Sequence, residues 1–218
     1  MKTKIYDLTP KISSRLGVFP GDQTFERSIA LSFAGGNHLE LSSLRSTLHL
    51  GAHADAPSHY AAGGVSIEKR ELGIYMGLTE VVRVTGLSPR ERVRIEHFKR
   101  APAAPRVLID TGSFVDPEKW NSDFCSLAPE LLDWLADHRV RLVGIDTPSV
   151  DPEDSKKMEA HQILAKRDFA VLEGLLLKDV PEGLYTLIAL PLPIEDGDAS
   201  PVRAVLLPVV DGFPEFKS

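Results

Sequence analysis

The stretch His49-Leu-Gly-Ala-His53-Ala-Asp55-Ala-Pro-Ser-His59 puts three histidines and an aspartate within eleven residues of a chain that holds seven histidines. His49, Gly51, His53 and Asp55 are spaced by two, and the run from Arg45 to Leu50 reads as a strand. Residues two apart on a strand point to the same face, so two imidazoles and a carboxylate would line it. Gly51, between the histidines, leaves space where a side chain would block an ion. Pro57 then interrupts the ladder, and His59 follows two residues on. A helix would also bring His49 and His53 together, at i and i+4, but Gly51 and the proline argue against it. Neutral imidazole and carboxylate are the donors that zinc and manganese take. The competing reading is a polar loop with incidental histidines.

Outward from this segment the chain is strand-rich. Leu39 to Asp55 is expected to be one long, partly alternating strand. Thr79 to Val84, Arg106 to Asp110 and Arg141 to Asp146 are rich in β-branched residues, and Tyr185 to Leu190 and Val202 to Pro208 read as late strands. Helix signals are fewer. Ala128 to His138 carries Leu131, Leu132, Trp134 and Leu135 at helical spacing, with a proline suited to a first turn. Asp154 to Lys166 is a second helix, with Met158, Ile163 and Leu164 as its stripe. The balance predicts an α/β fold with a mixed sheet and few helices. The Pro/Ala stretch from Ala101 to Pro105 reads as a loop rather than a linker, so residues 1–218 are expected to form a single domain.

A second feature lies far along the chain. His161 sits in the second predicted helix, and Glu173 is a lone carboxylate in the apolar run Phe169 to Leu177. A buried, unpaired carboxylate is costly, and a metal ion, an arginine partner or a solvent-facing turn at Gly174 would each relieve it. Alone, His161 reads as a satisfied helix histidine. His38 reads as a loop residue and His97 as solvated, while His138 closes a helix where a cation suits the dipole. Cys125, Trp120 and Trp134 read as packing residues. No G-x-S-x-G elbow, Walker A loop or G-x-G-x-x-G fingerprint is present.

Bulk properties narrow the partners. A net charge of −6 argues against nucleic acid. The lone Cys125 rules out an intrachain disulfide and a C-x-x-C zinc site. The opening MKTKIYDLTP reaches Asp7 too soon for a signal-peptide core, and no apolar run approaches the ~20 residues of a membrane span. A cytoplasmic protein with no membrane partner is expected.

The segment His49 to His59 resembles the H-x-G-[TA]-H-x-D-x-P-x-H motif of the metal-dependent cyclase family. Val18-Phe-Pro-Gly-Asp22 is similar to that family's early W-P-G-D turn. Gly144 to Pro152, Leu172-Glu-Gly-Leu175 and Asp198 to Arg203 resemble segments of its bacterial kynurenine-formamidase branch. The resemblance implies a swivelling β/β/α domain that assembles as a homodimer or larger. It implies a first metal held by His49, His53 and Asp55. Asp55 would bridge to a second, completed by His161 and by Glu173, which would reach both. The two divalent ions would be zinc, or manganese or another transition metal. His59 would be the acid/base residue of a metal-activated water that hydrolyses an aryl formamide, N-formyl-L-kynurenine, to L-kynurenine and formate. Phe19 stands where the formamidases carry a tryptophan against the substrate's aromatic group; it keeps an aromatic face but loses area and the indole N–H. That departure leaves a second substrate in play, another aryl or cyclic amide such as isatin. A non-catalytic metal-binding module is the alternative of a different class.

Overall fold

Thirteen strands and three α-helices arise from these patterns among the described residues. The computed structural model describes residues 4–210, 212 and 213. The strands are β1 (Tyr6–Asp7), β2 (Glu26–Leu31), β3 (Leu41–Arg45), β4 (His53–Asp55), β5 (Met76–Arg83), β6 (Arg92–Val93) and β7 (Arg106–Asp110). They continue as β8 (Ser126–Leu127), β9 (Leu142–Ile145), β10 (Ala170–Glu173), β11 (Gly183–Ile188), β12 (Ala199–Pro201) and β13 (Val205–Pro208). The helices are α1 (Pro57–Tyr60), α2 (Pro129–Asp137) and α3 (Glu159–Arg167).

Nine strands form one mixed sheet in the order β1-β13-β11-β5-β7-β9-β10-β4-β12. The centre, β5-β7-β9-β10, is parallel, and both flanks are antiparallel. Strand alternation sorts the buried side chains into two cores. Val107 and Ile109 of β7, Val143 and Ile145 of β9 and Val171 of β10 pack with Leu131, Leu132 and Leu135 of α2 and Leu164 of α3. The intervening Leu108, Leu142, Ala170 and Leu172 pack on the opposite face.

The sheet must curl. Nine flat strands would separate β1 from β12 by roughly 38 Å. Yet β12 and β13, which lie toward opposite ends of the order, are joined only by residues 202–204. Four Cα–Cα steps reach at most about 15 Å. Val202 N–H donates to Ala52 O beside β4, and Leu8 N–H donates to Ala204 O beside β1, so this short link ties the two flanks together.

Expected strand ends shift by a few residues, with Val202 to Ala204 forming a link rather than the start of β13, and two larger differences bear on the site. The predicted strand Leu39 to Asp55 is broken: β3 pairs only with β2 in a separate two-stranded sheet, and β4 joins the large one. The chain leaves β3 at Arg45, and Gly51, at the left-handed φ of +60°, turns it just before β4. Helix α3 begins at Glu159 rather than near Asp154, because its cap comes from outside the helix. Asp151 accepts from the amides of Ala160 and His161, each at 3.0 Å. The β2–β3 hairpin stands away from both cores and exposes Ile29, Phe33 and Leu44 at 55, 65 and 71%.

Candidate metal centre

Register brings the first donors together. On β4, His53 and Asp55 point to the same face, and the small Ala54 points to the other core. Glu173 of β10 lies directly opposite His53, with Val171 opposite Asp55, so Glu173 shares that face. α3 packs over it and supplies His161 from a buried turn. His49 arrives from the irregular segment before Gly51, not from the strand, and His59 comes from α1. Thus the structure converges His49, His53, Asp55, His59, His161 and Glu173 on one locus, although the single strand face expected for His49 is not formed.

Gly51 also serves a different purpose from the space expected beside an ion. A Cβ there would lie 3.0 Å from Leu16 Cδ2 and Pro10 Cγ, and Gly51 O accepts from His53 Nδ1 at 2.8 Å. Gly174 crowds the same carbonyl: a Cβ on it would lie 2.2 Å from Gly51 O. These two glycines let the end of β10 lie against the turn that aims His53.

The Asp55 carboxylate is the hub. Its Oδ1 lies 2.9 Å from His49 Nδ1 and 3.3 Å from His53 Nε2, while its Oδ2 lies 3.4 Å from His161 Nε2. Glu173 spans the same pair of imidazoles, with Oε2 3.3 Å from His53 Nε2 and Oε1 3.6 Å from His161 Nε2. Glu173 Oε1 also accepts from Val150 N–H at 2.8 Å.

The donors fit a cation. His53, Asp55, His161 and Glu173 are all buried, and desolvating each carboxylate costs several kcal/mol without compensation. Despite the short separations, His53 Nε2, His161 Nε2 and both Asp55 oxygens make no hydrogen bond among the described residues. The opposite nitrogens are engaged: His53 Nδ1 with Gly51 O, and His161 Nδ1 with Asp151 Oδ2 at 2.9 Å. In the neutral imidazoles those contacts hold the proton on Nδ1, leaving the Nε2 lone pairs turned toward carboxylate oxygens. That is the arrangement of ligands around a positive ion, each fixed by an outer partner. Groups within ligand reach of one another include His53, Asp55 and Glu173, and also His49, Asp55 and His59.

Electrostatics agree. Burial opposes protonation of His53 and His161, yet the Asp55 and Glu173 carboxylates, with Asp151 for His161, outweigh it and raise both imidazoles to about 10. Burial would raise Asp55, but His49, His161 and His53 hold it well below the usual carboxylate range. A field that draws protons onto these nitrogens also draws a dication between them. His59 behaves oppositely. Burial and the nearby His49 and His161 depress it, against Asp55, so it is neutral at neutral pH.

The cluster forms the floor of a cavity of about 410 Å³. Phe19 lines its wall. Trp120, expected to be a packing residue, lines the cavity too. Its ring meets Phe19 edge-on, with centroids 5.2 Å apart, and Phe114 at 5.9 Å. Two acids went unassigned from sequence. Asp151 orients His161, and Asp198 Oδ2 lies 3.2 Å from His49 Nε2 and 3.6 Å from His59 Nδ1. Both fall within segments that carry the resemblance, but nothing in spacing marks them apart from surface acids. His38 is exposed, His138 caps the end of α2, and Cys125 is buried, as expected.

Fold and cluster together define a class: a mixed-sheet α/β protein with a buried donor set of metal-ligand type. A family model described as putative cyclase matches residues 6–152. The kynurenine formamidase of Bordetella petrii is 40% identical over 205 residues, covering 93% of this chain and 97% of that protein. The chain belongs to the cyclase family. A solved structure described as a potential metal-dependent hydrolase with cyclase activity is 27% identical and superposes with a TM-score of 0.80, covering 94% of this chain and 98% of that one. Isatin hydrolase A from Labrenzia aggregata shares the fold at 21% identity, with a TM-score of 0.77 over 95 and 94% of the two chains.

Proposed function

We propose that this protein is an arylformamidase that hydrolyses N-formyl-L-kynurenine to L-kynurenine and formate. The observation that carries the reading is the convergence of unpartnered buried imidazole and carboxylate atoms at the floor of an aromatic-walled cavity. Similarity to the Bordetella petrii formamidase along nearly the whole chain supplies the substrate.

His49, His53 and Asp55 would hold one divalent ion, and Asp55, His161 and Glu173 a second. The division of the Asp55 and Glu173 oxygens between different imidazoles supports two ions. Three imidazoles and two carboxylates suit zinc, with manganese and other transition metals compatible. Bound metal supplies Lewis acidity, polarising the formyl carbonyl and lowering the pKa of water toward ~7. The chain's own residues do the rest. His59, neutral and half-exposed at the cavity floor, accepts a proton from the attacking water. Asp198 beside His59 Nδ1 favours the proton there and leaves Nε2 as the basic atom. The same imidazole returns the proton to the aniline nitrogen as the C–N bond breaks. Phe19 and Trp120 flank the aryl ring.

The reading extends to the whole protein. Residues 1–218 act as a single cytoplasmic domain, consistent with a sheet built from both ends of the described chain, a lone buried Cys125 and no helix among the described residues long and apolar enough to cross a membrane. It assembles as a homodimer or larger. A two-stranded hairpin with exposed Ile29, Phe33 and Leu44 is marginal alone and suits burial against a second copy.

The test is turnover of N-formyl-L-kynurenine beside isatin, before and after dialysis against a chelator. Formylkynurenine is consumed, activity disappears on chelation, and zinc or manganese restores it. Preference for isatin would replace the substrate assignment, and full activity in metal-free protein would remove the mechanism.

A further inference from the structure

The wall of the cavity carries a second recognition element. Glu153 lines it beside Trp120, whose Nε1–H donates to Glu153 Oε2 at 2.8 Å. That bond fixes one carboxylate oxygen and leaves Oε1 without a hydrogen bond from any described residue. No lysine or arginine pairs with Glu153 among the described residues, and none lines the cavity. This is unusual for the acid's neighbourhood. Asp151, two residues earlier, is tied to Arg92 and α3, and Asp154, one residue later, pairs with Arg90 at 2.6 Å. The loop is therefore pinned on both sides of Glu153, and of its three acids only Glu153 is left without a cation among the described residues.

The Trp120 ring is held in turn. Phe19, Phe114 and Phe124 meet it at interplanar angles of 69, 71 and 83°. A rigid aromatic surface and a preorganised anion, joined by a hydrogen bond, suit a ligand that carries an aromatic ring and, a short chain away, a cation.

We infer that Trp120 and Glu153 form a subsite for the α-ammonium group of the amino-acid end of the substrate, with Glu153 Oε1 accepting its N–H. This rests on the formamidase reading and deepens it. Among the described residues the cavity is lined by carboxylates and by no arginine or lysine, so this chain's selectivity is for the ammonium and not for the α-carboxylate. The subsite makes Glu153 a specificity residue, remote from the bond that breaks, and distinguishes aminoacyl aryl formamides from simple ones.

Two substrates read it: N-formyl-L-kynurenine and its deamino analogue, which keeps the formanilide ring and the carboxylate. The native enzyme has a KM roughly 10-fold or more lower for the amine-bearing substrate, as expected for one charge-assisted hydrogen bond, with similar kcat. Glu153→Gln, which can still accept from Trp120, brings the two KM values together. Calorimetric titration with L-kynurenine and deaminokynurenine reads the subsite without turnover and gives the same ratio and the same collapse. Equal KM values and equal affinities in the native protein, or a ratio that survives Glu153→Gln, overturn the inference. Failure of the native protein to hydrolyse either formamide would instead overturn the formamidase reading, and the binding ratio would still decide the subsite.

Discussion

Asp55 shows how much one side chain can organise. Each oxygen faces a different imidazole group, and neither has a hydrogen bond to spend elsewhere. The residues around it separate into two kinds, and substitution should tell them apart. His59→Ala keeps its metal content by elemental analysis and loses roughly 10²–10⁴ in kcat. Equal activity in that variant would take His59 out of the proton transfer. Asp198→Ala instead frees His49 Nε2, and metal affinity measured by competition with a chromophoric chelator falls about 10–100-fold. Unaltered affinity would mean that Asp198 does not orient a ligand. The donors themselves were legible because histidine is scarce in this chain and five of the six converging residues, all but His161, lie in segments that carry the family resemblance. Asp151 and Asp198 were not, because their importance lies in which nitrogen they face, and that depends on α3 and the 195–198 turn closing over β4.

At the scale of elements, strand content was readable and strand partnership was not. The β-branched runs at Arg106 and Arg141 become β7 and β9, and the Pro129 helix forms where its leucines recur. In contrast, the apolar and alternating pattern through Leu39 to Asp55 hid a change of sheet, since the irregular segment 46–52, with its turn at Gly51, keeps the same alternation of residue types. The close passage of β10 against that turn gives a test. Gly174→Ala places a Cβ at a left-handed φ of +67° and against the Gly51 carbonyl. Urea denaturation should show a loss of more than about 2 kcal/mol, with weaker metal retention. Normal stability would show that the turn can shift freely. The hairpin invites a second substitution. Leu44 is exposed opposite Arg27 on β2 and shares a face with Ile29. Leu44→Glu should shift light-scattering mass to that of one chain, and an unchanged mass would place the interface elsewhere.

Over the whole molecule, the nine-stranded order and its curl are set by non-local pairings that no local pattern announces. The ligands come from positions as distant as 49 and 173, so an unfolded chain has no preformed site, and metal affinity is itself folding free energy. Chelation should lower the melting temperature, and calorimetric scans with and without metal check this. An identical melting temperature would mean that the cluster folds equally well without an ion. The exposed hairpin ties this equilibrium to another. β3 ends at Arg45 and the chain passes within four residues to His49, so whatever steadies the hairpin also steadies a metal ligand. If a second copy does so, loading and assembly share one coupling energy, and each must strengthen the other by the same factor. Dilution then sheds ions, ions resist dilution, and the protein's own concentration sets how much of it is charged with metal.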